Sequence, residues 1–181
     1  QESGLTWTQV GADINGEAAG DLSGWSVSIS SNGKMVAIGA PANGSRAGHV
    51  RVYRESELAW TQVGQDIDGE AVNDFSGFSV SLAGDGKRVA IGAYRNNDNG
   101  TSAGHVRVYQ ESGLTWTQVG ADINGEAGDT SGYSVSLSGD GTMVAIGAPG
   151  NDTGHVQVYR ESELTWTQIG ADIECASVST G

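Results

Sequence analysis

This chain of 181 residues is short of cysteine, proline, basic residues and long apolar runs, and each shortage removes a class of protein. The single cysteine, Cys175, cannot staple a disulfide scaffold, so stability has to come from packing. It stands where earlier copies of a repeat carry Gly16, Gly69 and Gly125, which makes it a candidate for an intermolecular disulfide. Nine Lys and Arg face 22 Asp and Glu, for a net charge of −13. Nucleic acid and anionic membrane are therefore poor partners, whereas cations and neutral glycans stay open. No run of 18 apolar residues occurs, so membrane insertion is not expected. There is no initiator Met and no signal peptide. The chain opens in mid-repeat, since Gln1 to Trp7 matches Gln110 to Trp116 letter for letter, and is expected to be a mature or excised piece of a longer array.

What is present is a repeat. Trp7, Trp60, Trp116 and Trp166 recur at intervals of 53, 56 and 50 residues. In the first copy Leu5–Val10 alternates bulky and polar residues, and Trp25–Ser30 sets Trp25, Val27 and Ile29 against three serines. Ser31–Lys34 reads as a tight turn, replaced later by Gly84-Asp-Gly86 and Gly139-Asp-Gly141. Met35–Ala40 is apolar throughout, as suits a strand covered on both faces. His49–Tyr53 alternates again, and Arg54–Glu57 is expected to turn the chain into the next tryptophan strand. No helical period is found. The reading is all-β: three four-stranded antiparallel repeats of about 50 residues, the sequence form of β-propeller blades. The polar stretch Gly11–Gly24 and its counterparts would carry the chain from the outer strand of one blade to the inner strand of the next, about 14 Å. The expected division is an outer strand and linker over 1–23 completing a preceding blade, blades over 24–67, 77–123 and 132–173, and a tail over 174–181. Three blades do not close a ring, so further copies, a second chain or an open stack are expected, with head-to-tail association.

Phe75-Ser-Gly-Phe-Ser-Val-Ser81, Val89-Ala-Ile-Gly-Ala93 and Gly104-His-Val-Arg-Val-Tyr109 together resemble the FG-GAP repeat of integrin α-subunit propellers. The resemblance covers all three copies. It implies that the Ser-Val-Ser strand is innermost and the tryptophan strand outermost. Gly39-Ala-Pro41 and Gly147-Ala-Pro149 keep the Gly-Ala-Pro element, which departs to Gly92-Ala-Tyr94 in the second copy, and the Phe-Gly pair is Ser-Gly here. The acidic calcium hairpin of integrin blades has no counterpart, so that mode of calcium binding does not carry over.

Asn43, Asn99 and Asn151 each begin an N-x-S/T sequon in the loop between second and third strands, and no other asparagine does so. They are the expected glycosylation sites, and with them an extracellular, secreted or cell-surface location. Asp66, Asp68, Glu70 and Asp74 form the best candidate for a calcium site, because alternate oxygen ligands suit a hard cation; capping of backbone N–H groups is the alternative. His49, His105 and His155, one per copy, read as structural, and the tryptophans as blade packing. No nucleophile elbow or phosphate loop is present, and most polar residues of the framework have equivalents in the other copies, so an enzyme is not expected. The expected role is an extracellular structural or adhesive module that binds other copies of the repeat. The alternative is a carbohydrate-binding, lectin-like propeller with glycans as partners.

Overall fold

The computed structural model describes residues 6–150 and 153–174. Strict alternation in the Ser-Val-Ser segments and apolar second strands produce three sheets in succession. The first holds β1 (Ser26–Ile29), β2 (Met35–Ala40), β3 (His49–Ser56), β4 (Ala59–Gln62) and β5 (Ile67–Asp68). The second holds β6 (Ser79–Leu82), β7 (Arg88–Ala93), β8 (His105–Ser112), β9 (Thr115–Gln118) and β10 (Ile123–Asn124). The third holds β11 (Ser134–Leu137), β12 (Met143–Ala148), β13 (His155–Ser162), β14 (Thr165–Gln168) and β15 (Ile173–Glu174). Within each sheet the strand pairings are antiparallel, in the order β1-β2-β3-β4 and its equivalents. Successive inner strands β1, β6 and β11 lie side by side, as blades around a propeller axis require. At the head of each inner strand an aromatic ring meets the next, Trp25 on Phe78 at 5.4 Å and Phe78 on Tyr133 at 4.9 Å.

Three expectations change. The outer strand is broken in two: β4 and β5 both pair with β3, one at each end of it. The linker therefore begins after Asp68 rather than at Gly64. The third strand runs on through Arg54 and Glu55 to Ser56, and the reversal falls on Glu57 and Leu58, both at positive φ, as a two-residue hairpin with right-handed twist demands. Residues 6–25 form no strand, and among the described residues no third strand pairs with Thr6–Val10.

The break in the outer strand has a physical cause. Gly64 (φ +74°) opens a gap into which the next blade's tryptophan fits: a Cβ there would lie 2.7 Å from the Leu114 carbonyl and 3.2 Å from the Trp116 ring. Trp116 Nε1 donates to the Val63 carbonyl at 2.9 Å, Trp166 Nε1 to Val119 at 2.8 Å, and Trp60 Nε1 to Val10 at 2.9 Å. The strands of Trp60, Trp116 and Trp166 are thus each fastened to the matching segment one repeat earlier. At the inner edge Ser28 Oγ accepts from the Leu82 N–H and Ser81 Oγ from the Leu137 N–H, each at 2.9 Å.

The core lies between blades. Met35, Ala37, Val50, Val52, Val63 and Ile67 of the first blade pack on Val80, Leu82, Val89, Ile91 and Trp116 of the second. Ala90, Val106, Val108 and Ile123, on the second blade's other face, pack on Val144 and Ile146 of the third. Each blade therefore has two different apolar faces, and one kind of face always meets the other kind.

Candidate functional site

Where each linker crosses its blade, a polar cluster repeats. In β8 the period of two puts His105 and Arg107 on one face. Glu70 and Asp74 arrive on the linker, Asn96 and Asp98 on the loop after β7, and Asp122 just before β10. Arg107 Nε donates to Asp122 Oδ1 at 2.8 Å and Nη2 to Asp122 Oδ2 at 2.6 Å; Nη2 also donates to Glu70. Gln118 Nε2 donates to Asp122 Oδ1 at 2.7 Å. Asn96 is buried and its Nδ2 donates to Asp74 Oδ2 and Glu70 Oε1, each at 2.9 Å. His105 Nδ1 lies 3.7 Å from Glu70 Oε1 and 3.8 Å from Asp122 Oδ2, too far for a hydrogen bond to either.

The electrostatics follow from these contacts. The Arg107 guanidinium holds the Asp122 carboxyl below the usual range, and Asp122 in turn raises Arg107. Burial raises Glu70, partly offset by Arg107 and reinforced by Asp98 facing it. Burial, and then Arg107, lower His105, which keeps the imidazole neutral.

The first blade repeats the arrangement. Arg51 Nε and Nη2 donate to Asp66 Oδ1 and Oδ2 at 2.9 and 2.8 Å, and Arg51 also pairs with Glu17. Asn43 Nδ2 donates to Asp21 at 2.9 Å and to Glu17 at 3.4 Å. The third blade differs: Gln157 stands where the other two have arginine. Its Nε2 lies 3.1 and 3.3 Å from the two Asp172 oxygens, beside a cavity of about 220 Å³ lined by Glu126, Asp129, His155, Asp172 and Glu174.

Of the four residues expected to bind calcium together, the structure divides the set. Asp66 sits with Arg51 in the first cluster, Glu70 and Asp74 with Asn96 in the second, and Asp68 is exposed on β5 opposite His49. The sequon asparagines are not equivalent positions either. The residue matching Asn43 is Asn96, which begins no sequon, while Asn99 is exposed and donates to the Gly125 carbonyl at 2.8 Å. An N-linked sugar replaces one Nδ2 hydrogen, so modification of Asn43 would release one of its two carboxylate contacts. Asn151 and Cys175 lie outside the described residues. Arg51, Arg107 and Asn96 were not singled out from sequence. The signal was there in the repeated His-Val-Arg at 49–51 and 105–107, and in its change to His-Val-Gln at 155–157.

Outside these clusters, a shallow groove recurs between outer strands. Tyr53 and Trp60 face Ala12–Asn15; Tyr109 and Trp116 face Gln65–Asp68; Tyr159 and Trp166 face Ala121–Asn124.

The FG-GAP repeat family matches residues 66–109 and 119–159. No curated protein sequence matches the chain. Among solved structures, a candidate 6-phosphogluconolactonase of Bacteroides fragilis superposes with a TM-score of 0.56 at 22% identity, covering 82% of this chain and 38% of that one. A second, from Bacteroides uniformis, gives 0.56 at 18%, covering 82% and 39%. Hydrazine synthase of Kuenenia stuttgartiensis gives 0.53 at 13%, covering 91% and 41%. The chain spans about two fifths of the length of these proteins. At such identities the likeness shows the fold alone.

Proposed function

The chain carries FG-GAP repeats folded as propeller blades, and from that premise we propose that it is a non-catalytic interaction module whose two terminal blade faces take up further blades, those of a second copy included. One observation carries this reading. Val80 and Leu82 on the second blade are 9% and 7% exposed beneath the first blade, while their equivalents Val27 and Ile29 are 63% and 62% exposed. At the opposite end the complementary face is bare: Ile173 is 62% exposed where Ile67 and Ile123 are 6% and 5%. Contiguous apolar surface of this kind marks an interaction site.

Charge agrees with the same docking. Within the chain Arg54 reaches forward to Glu111 of the next blade at 2.6 Å. Its third-blade equivalent, Arg160, makes no ion pair among the described residues, and Glu55, equivalent to Glu111, lies on the bare face of the first blade, where it pairs with exposed Lys34 at 3.7 Å. Head-to-tail stacking would bring Arg160 of one copy to Glu55 of another. Sedimentation across a concentration series tests the reading: oligomers that dissociate on Ile29→Glu substitution support it, and a monomer at all concentrations overturns it. The extracellular placement is part of the proposal, with exposed Asn99 as the better of the two described acceptors; a glycosidase-sensitive mass in native material would establish it.

The recurring outer grooves, of about 440, 240 and 360 Å³, favour a second reading in which a tyrosine, a tryptophan and a carboxylate or amide hold a neutral sugar. Trp116 is only 8% exposed and its N–H is already bonded, so stacking would fall to the tyrosines. Glycan-array binding lost on Tyr159→Ala would replace the first reading with this one.

A further inference from the structure

We propose that Glu70, Asp98, His105 and Asp122 form a binding site for a divalent cation of the zinc class. One ligand atom from each lies within 4.8 Å of all the others. The His105 side chain is 4% exposed, and its Nδ1 is buried, aimed at Glu70 and Asp122, and without a hydrogen-bond partner. A buried polar nitrogen left unsatisfied is costly, by about 1–3 kcal/mol, and a cation removes the cost by accepting its lone pair.

Geometry and charge both fit. Tetrahedral zinc with ligands at about 2.0–2.1 Å needs ligand atoms about 3.3 Å apart. The separations of 3.7 and 3.8 Å from His105 Nδ1 to Glu70 and Asp122 close to that value with shifts of a few tenths of an ångström in the two carboxylates. Arg107 does not fill the site. It bonds Glu70 through Oε2, leaving Oε1 on the His105 side, and it leaves a second lone pair on Asp122 Oδ2, which faces His105, while Oδ1 is shared with Gln118; it thus orients the ligands much as outer hydrogen bonds do in metal centres. Three carboxylates against one guanidinium leave the site net negative. An imidazole with carboxylate oxygens selects zinc-like ions over calcium, which prefers six or more oxygens. Exposed Glu70 and Asp98 give the ion a path from solvent.

The first blade lacks one ligand. Ser45 stands two residues past Asn43, where Asp98 stands two past Asn96, leaving Glu17, His49 and Asp66. The second blade's cluster is therefore the stronger site.

The test is zinc titration of the metal-stripped protein by calorimetry and thermal melting, followed by cobalt substitution. One tight site per chain is expected, with a saturable rise in melting temperature and a tetrahedral cobalt spectrum. Asp98→Asn changes an exposed side chain and should fold; it is expected to weaken binding at least tenfold, and His105→Asn about 100-fold or more. Wild-type protein without stoichiometric binding overturns the proposal. So does binding that Asp98→Asn leaves unchanged, which would place the ion elsewhere, or a calcium response equal to that of zinc.

Discussion

The second blade and the two outer faces of the array are built from almost the same residues and have opposite surroundings. Ser26-Val-Ser-Ile29 and Ser79-Val-Ser-Leu82 differ by one methyl position, yet the first pair of apolar side chains faces solvent and the second is buried. The second strands show the same contrast. In β7 Val89, Ala90 and Ile91 are all covered, whereas in β2 Val36 and Ile38 are half-buried, and in β12 the half-exposed residues are Met143 and Ala145 on the other face. A blade is thus a double-faced sheet whose burial is decided by its neighbours. The array leaves one face of each kind uncovered at its ends.

The sharpest way to break this contrast is through the glycine of the second strand. A Cβ on Gly92 would lie 2.0 Å from the Gly132 carbonyl, backbone of the next blade, which cannot retreat. Gly147, its equivalent in the third blade, would meet only the Ser134 side chain at under 3.4 Å. Gly92→Val is expected to cost about 3 kcal/mol or more, read by urea denaturation, and Gly147→Val clearly less. Equal costs would mean that the clash within the blade, and not blade-to-blade contact, sets the price.

Next comes the apolar face itself. Leu82→Ala removes a buried side chain between blades and should cost about 2–5 kcal/mol. Ile29→Ala, at the matching position on the bare face, should cost under about 0.5 kcal/mol in the monomer and should show its effect in self-association measured by sedimentation.

Much of this was legible in the sequence because alternation is local. The Ser-Val-Ser strands and the apolar Met35–Ala40 follow from period two and repeat spacing, and the resemblance to FG-GAP repeats implied the inner-to-outer order. The broken outer strand was not legible. Gly64 begins what reads as a polar linker, and its reason for being glycine, the Trp116 ring of the next blade, lies about 50 residues away. The site was half legible. The acidic residues of the linker were marked, but they were grouped by sequence proximity, whereas Asp66 and Glu70 serve successive clusters. The sequon asparagines show the same limit of position in the chain. Asn43-Gly-Ser45 is also the Asn that holds the linker carboxylates, a role Asn96 fills without a sequon.

The arginines give an intermediate effect with a pH signature. Arg107 holds Asp122 below its ordinary carboxyl value. A depressed folded value means stability that is present above the unfolded value near 4 and is lost as pH falls through the folded one. Arg107→Gln, which copies Gln157, is expected to cost about 1–3 kcal/mol at neutral pH and to flatten the acid limb of the stability profile. Gln157→Arg should raise neutral stability and steepen that limb. Melting curves between pH 2 and 7 read both.

The smallest effect belongs to the inner turns. Asp140 is fully exposed, yet its carboxyl is held at about 2 because it accepts from the Ser138 hydroxyl, the Thr142 N–H and the Thr142 hydroxyl, at 2.5, 3.0 and 2.9 Å. In the first blade Asn32 occupies the same place, accepting from Ser30 Oγ and the Lys34 N–H at 2.8 and 2.9 Å, and carries no titrating group. The folded value of Asp140 is depressed, so its contribution should be present above pH 4 and fade as pH falls towards 2. Asp140→Asn should therefore remove a small acid dependence while keeping the turn, and Asn32→Asp should create one. Side-chain NMR titration of Asp140 checks the sign directly: a midpoint at the ordinary value near 3.9 would mean that the turn's hydrogen bonds do not favour the charged form, and the third blade's inner turn would then behave like that of the first.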